Sequence, residues 1–351
     1  MYKKRIALLA IAALVITLLA GCGGGTKETT KKTPKDTQSA ETTAGETKAA
    51  GETKAADSGK KIAMIANAPI ADGGWNSSCY QAMVDAAAEF GYETGYVENV
   101  AQSDYATMFR EYAGMGYNVI FAPGNEFTDA VMEVAPDFPE TSFVLLNGFV
   151  EGVDNITNVM PDANQIGQLA GSLAALQTKT NCIGFIGGME IDTTMIKLDA
   201  FEAAAKIVNP DVQVFSAFAG SYDDGAKGKE IALSMVTTSD VDVIYGDASV
   251  VDTGAREGLA EHENRWSIGQ PSDIVDQNPD LIICSICADT AALLKICIED
   301  YNNGEFGGKT VQGTLENEGL YIGKFGNGID KETQDAYLEA VEQIKNGTFG
   351  K

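Results

Sequence analysis

The sequence predicts an α/β fold made of two doubly wound parallel-sheet lobes. Short apolar runs of strand length alternate with amphipathic stretches of helical period along most of the 351 residues. The alternation completes one series and then begins a second, which two lobes explain better than one sheet. Gly- and acid-rich turns fall where the apolar runs stop, as loops that lead from a strand into a helix do. The length allows about two domains. A composition of 44% hydrophobic residues with only 9 prolines suits globular bodies rather than fibrous or disordered ones.

Before the alternation begins, Lys3, Lys4 and Arg5 precede an apolar run from Ile6 to Leu19 that ends in Leu19-Ala20-Gly21-Cys22. The run is long for a signal core and short for a membrane span. Its closing tetrapeptide resembles the bacterial lipobox, so residues 1–21 read as a lipoprotein signal peptide. Cleavage before Cys22 leaves a thiol and a new amino group to carry several acyl chains, a stable anchor where one chain is marginal. Residues 22–60 hold the lipidated Cys22 and a tract of Gly, Thr, Lys, Glu and Ala in which GETKAA occurs twice. Without aromatic or branched aliphatic residues this tract cannot bury a core, and it reads as a disordered tether reaching roughly 35 Å. The mature protein is expected on the extracytoplasmic face of the cell membrane, anchored and not spanning.

From Lys61 the expected strands are Lys61–Ala66, Glu93–Val97, Val119–Ala122, Ser142–Leu146 and Ile156–Val159. Helices lie between and after them near Trp75–Phe90, Asp104–Met115, Thr128–Ala135 and Ala163–Gln177. A second series follows, with strands Cys182–Ile186, Val212–Phe215, Val241–Tyr245, Trp266–Ile268 and Leu281–Cys284. Its helices lie near Met195–Val208, Ala226–Val236, Asp252–Glu261 and Thr290–Asn302. Glu316 to Phe325 reads as a further strand region, and Lys331 to Asn346 as a closing helix that Gly347 ends. The expected lobes are 61–178 plus about 286–312, and 179–285 plus about 313–351.

The loop Asn67 to Asn76 holds Asp72, Gly73, Gly74 and Trp75 at the carboxyl edge of the first strand, where open α/β sheets bind small ligands. It is the first candidate for a binding surface; the alternative is a tight turn with Trp75 as a core anchor. Five further turns carry Asn125, Asn147, Glu190, Asp247, and Gln270 with Asp273, and lobes that face each other bring all six loops to one cleft.

Charge and motifs exclude other functions. With 25 basic and 50 acidic residues the net charge is −25, which argues against nucleic acid as a partner. There is no Gly-x-Ser-x-Gly elbow, no phosphate loop, no Gly-x-Gly-x-x-Gly after the first strand, and one histidine, His262. Neither an enzyme nor a cofactor is expected. Beyond Cys22 an odd number of cysteines remains (79, 182, 284, 287 and 297), and Cys284-Ser285-Ile286-Cys287 has no second pair to complete a zinc set. Buried thiols, no disulfide and no metal are expected.

DGGWN at Asp72 to Asn76, FAPGNEFTDAVMEVAPDFPETSF from Phe121, NITNVMPDANQIGQLAGSLAAL from Asn155, GFIGGME from Gly184 and DAFEAAAKIVNPD from Asp199 carry a family resemblance. Together they resemble the basic membrane lipoprotein family, substrate-binding lipoproteins of ABC importers of the purine nucleoside receptor type. The resemblance implies the type I periplasmic-binding-protein fold, with two lobes joined by hinge crossings that close on a ligand, commonly a nucleoside. It places Asn67 where the family often has an acid, Trp75 where a Phe stacks on the base, and Asn147 where an Asp hydrogen-bonds the base. Lys197 falls at a second stacking Phe, Pro271 at the acid and Ala288 at the Lys that bind ribose, and Ser249-Val250 at a Gly-Gly pair beside the sugar. Gln270, Asp273 or Asp289 stands near enough to substitute at the ribose positions.

These readings converge on a monomeric, membrane-tethered receptor. It captures a small polar aromatic heterocycle, such as a nucleoside or nucleobase, between its lobes and passes it to an ABC permease. The alternatives are a sugar or other solute receptor of the same fold, and a surface co-receptor that presents its ligand to a signalling partner.

Overall fold

The computed structural model describes residues 58–71 and 75–351. The expected signal peptide, Cys22, most of the tether and Asp72 lie outside the described residues. The first series is β1 (Lys61–Ile65), α1 (Trp75–Phe90), β2 (Glu93–Val97), α2 (Tyr105–Gly114), β3 (Val119–Ala122), α3 (Thr128–Val134), β4 (Ser142–Leu146), β5 (Ile156–Pro161) and α4 (Ala163–Gln177). The second is β6 (Cys182–Gly187), α5 (Asp192–Val208), β7 (Gln213–Phe218), α6 (Gly225–Ser239), β8 (Val243–Asp247), α7 (Val250–Leu259), β9 (Trp266–Gly269) and β10 (Ile282–Ala288). The chain closes with α8 (Thr290–Asn303), β11 (Lys309–Gly313), β12 (Leu320–Ile322) and α9 (Lys331–Lys345).

The strands form two sheets, ordered β11-β5-β4-β3-β1-β2 and β12-β10-β9-β8-β6-β7. Every pairing is parallel except β10 with β12, which is antiparallel. Successive residues of a strand point to opposite faces, so each sheet needs cover on both sides. Ile62 and Met64 pack toward α1 and α8, while Ala63 and Ile65 pack toward α2 and α3. In the second sheet Phe185 and Tyr245 pack under α4, α5 and α9, and Ile186 and Ile244 pack under α6 and α7.

Two details differ from the sequence expectation. The helix α4, expected with the first lobe, packs on the second: Leu169, Ala170 and Leu173 share a core with Phe201 and Tyr337. Gly167 and Gly171 are the cause. A Cβ on Gly171 would stand 2.1 Å from the Phe201 carbonyl oxygen, and one on Gly167 would stand 2.3 Å from that of Lys197, so only glycine lets α5 approach this closely. In addition β11, unforeseen as a strand, extends the first sheet beside β5. The chain therefore crosses between lobes three times: from β5 into α4, from β10 into α8, and from β11 into β12.

The five described cysteines form no disulfide; Cys79, Cys284, Cys287 and Cys297 are buried and Cys182 is half-buried. Among the described residues no helix is long and apolar enough to cross a membrane.

Candidate functional site

In each lobe the strand order reverses beside the first strand, between β1 and β3 and between β6 and β8. Ligands in open α/β sheets sit outside the strand carboxyl ends at that point, because two loops diverge there and leave a crevice. Both crevices open into a single cavity of about 1170 Å³.

On the first lobe the wall is Trp75, Asn125 and Asn147. The first turn of α1 carries Trp75, whose indole N–H donates to the Pro123 carbonyl at 2.6 Å. That bond fixes the ring while 42% of the residue stays exposed. Its apolar neighbours Cys79 and Met83 take the core, so Trp75 is a cavity wall and not a core anchor. Asn147 directly follows β4 with φ 59, a left-handed conformation that Asn tolerates.

On the second lobe Lys197, Asp247 and Gln270 line the cavity. Lys197 Nζ lies 2.7 Å from Asp247 Oδ1, and their side chains are 17% and 10% exposed. Thr194 Oγ1 donates to Asp247 Oδ2 at 3.0 Å, and Gln270 Nε2 to Oδ1 at 3.3 Å. Thr194 and Lys197 stand three apart on α5 and so share a face. The Tyr245 hydroxyl donates to Gln270 Oε1 at 3.3 Å, and burial holds that phenol well above its usual range. Both Asp247 oxygens are thus engaged, and what this wall keeps for a solute is donors, since an ammonium carries three N–H.

Sequence reasoning passed over Tyr222. It lies in the Gly220-Ser221-Tyr222-Asp223-Asp224 turn after β7, lines the cavity and is 42% exposed. Its ring lies against the backbone of Gly188, where a Cβ would come within 2.4 Å of Cε1. The phenol stands near Thr194 and Asp247; partial burial, then Asp247, raise its pKa. An aromatic after β7, facing the double glycine after β6, was the signal available.

Asp289 lines the cavity at the crossing from β10 to α8, and its carboxylate caps that helix by accepting from Ala292 N–H at 2.9 Å. Four expected residues lie outside the lining. Asn67 donates to Glu126 Oε1 at 2.8 Å, and Asn76 is buried in α1. Glu190 is exposed beyond the cavity. Asp273 accepts from Val275 N–H and Lys324 N–H, at 3.2 and 3.1 Å, which ties two loops of the second lobe together.

Comparisons with known proteins agree with this architecture. A family model described as "ABC transporter substrate-binding protein PnrA-like" matches residues 59–349. The chain is 29% identical over 369 aligned positions to the "ABC transporter nucleoside-binding protein BmpA" of Lactococcus lactis, covering 99% of this chain and 98% of the relative. It is 26% identical to a "putative ABC transporter glucose-binding protein" of Haloferax volcanii, covering 98% and 89%. Among solved structures, a solute-binding protein of an ABC transporter system from Aeropyrum pernix superposes with a TM-score of 0.66 at 19% identity, covering 82% of this chain and 92% of that one.

Proposed function

Because the chain belongs to the PnrA-like family of ABC transporter substrate-binding proteins, binding proteins rather than enzymes, we propose that it captures a flat, polar heterocycle for import. Trp75 is the observation that carries this reading: an exposed aromatic with its N–H already bonded, so that only its π-face is left to offer the cavity. Tyr222 offers a second face from the other lobe, and closure of the lobes lays both against a planar solute. Only the closed form aligns the two lobe surfaces for the permease, which is how occupancy is signalled. Cys22 carries the lipid anchor that keeps the monomeric body at the membrane.

Within the heterocycles, free bases fit this cavity better than ribonucleosides. Pro271 and Ala288, at the ribose positions implied by the resemblance, line the cavity without a side-chain donor or acceptor. Each sugar hydroxyl left unpaired disfavours binding by about 1–3 kcal/mol. A sugar-receptor reading has one point in its favour, the Haloferax relative named for glucose binding. A thermal-shift screen of hypoxanthine, xanthine, uracil, inosine, guanosine and glucose decides between them. Free bases should raise the midpoint most; glucose alone doing so overturns the reading, and tight inosine binding overturns the preference for bases.

A further inference from the structure

Ser249, between β8 and α7, lines the cavity with an unusual backbone, φ 56 and ψ −114. The Val251 N–H donates to the Ala248 carbonyl at 3.1 Å, which closes a four-residue turn with Ser249 at its second position. These angles are those of a type II′ turn, where glycine predominates because a Cβ is strained there. Asp240, by comparison, has φ 53 and ψ 32, inside the ordinary left-handed well.

The surroundings prevent the turn from relaxing. Ala248 N–H donates to the buried Asp252 carboxylate at 3.0 Å, and Val250 N–H to the Tyr222 carbonyl at 2.9 Å. Ala248 and Val251 are themselves 1% and 0% exposed. Strain held in this way is a feature of ligand clamps and active sites. A second observation concerns the side chain. Serine at a helix N-cap ordinarily accepts from an N–H of the first turn, yet Ser249 caps α7 without any side-chain bond. Its hydroxyl is left for the cavity.

We propose that Ser249 is a ligand-contacting residue that, with Lys197, donates to an oxo group on the edge of the bound heterocycle. The inference rests on the heterocycle reading above. Acceptors on this wall are already engaged, since Asp247 serves Lys197, Thr194 and Gln270. The Lys197 ammonium can only donate, so the edge it faces must carry an acceptor such as a carbonyl-type oxygen, and beside it the Ser249 hydroxyl, able to donate or accept, serves as a second donor.

Isothermal titration of the full-length protein in detergent with hypoxanthine and adenine, which differ in an oxo or an amino group at one ring position, tests this. Wild type should prefer hypoxanthine. Ser249→Ala keeps the strain but lacks the hydroxyl, so hypoxanthine affinity should fall about three- to tenfold while adenine binding and the thermal midpoint hold. Ser249→Gly should lose the same affinity and raise the ligand-free midpoint by about 2–4 °C as the strain is released. Hypoxanthine binding unchanged in both variants, with or without a raised midpoint in the glycine variant, overturns the role of Ser249 and leaves the heterocycle reading standing. A wild type that binds neither base removes both.

Discussion

Lys197 Nζ stands 2.7 Å from Asp247 Oδ1 on the wall of the second lobe, and Thr194 and Gln270 hold the same carboxylate. A half-buried ion pair differs from a surface one, because removing one partner leaves the other charge poorly solvated. With side-chain exposures of 17% and 10%, Lys197→Met should destabilise the fold by about 1–3 kcal/mol, below the cost at a fully buried pair. Adding Asp247→Asn should restore much of that stability but not the ligand affinity, since the ammonium donor is still missing. Urea melts and calorimetric titration of the single and double variants check this; recovery of affinity in the double variant would show that Lys197 only neutralises Asp247.

The two aromatic walls make a prediction in which binding falls while stability holds. Trp75→Ala should weaken hypoxanthine binding by roughly 5- to 150-fold with little change in midpoint, because the ring is already exposed. Tyr222→Leu should act in the same direction. A midpoint loss equivalent to about 3–5 kcal/mol in Trp75→Ala would mark a core residue instead. Ligand should also perturb Trp75 fluorescence once Trp266, half-buried at the start of β9, is replaced by Phe.

Much of this cleft was legible from residue order, and the remainder was not, for physical reasons. Strand-ending turns with Asn, Asp and Gln mark βα loops locally, and so Asn125, Asn147, Asp247 and Gln270 could be named before their geometry was known. Tyr222 carried a weaker signal that joins two strand ends, because its ring lies against the backbone of Gly188, where a Cβ would meet it. Asp273 misled because its carboxylate serves the backbone of its own lobe. The strand β11 carries one buried apolar residue, Val311, in KTVQG, and its pairing with β5 defines it. Helix α4 has apolar residues on most sides, so its sequence shows burial without showing which sheet it covers.

At the N-terminus the expectation is chemical. Cys22→Ser removes the thiol that the acyl transfer needs, so labelled palmitate should no longer enter the protein and the precursor should stay uncleaved. Continued labelling of the Cys22→Ser protein would show that Leu19 to Cys22 is not a lipobox.

Asp252 gives a pH dependence whose sign follows from its burial. It lies in the first turn of α7, 5% exposed, and burial pushes its carboxyl up to about 6 although the Ala248 N–H and Arg256 pull the other way. The folded state therefore binds this proton more tightly than the unfolded chain, where the value is about 3.9. The stabilisation from protonation is complete below about pH 4 and is lost as the pH rises through about 6, up to about 3 kcal/mol in all. Asp252→Asn keeps an oxygen for the Ala248 N–H and cannot ionise. Its stability relative to wild type should thus climb between pH 4.5 and 7.5, the variant gaining on wild type as the carboxylate is forced to charge. Urea melts of both proteins at pH 4.5, 6.0 and 7.5 measure that difference. A difference that stays flat across the range would mean that Asp252 is ionised throughout, with its charge compensated by Arg256 and the helix N-terminus.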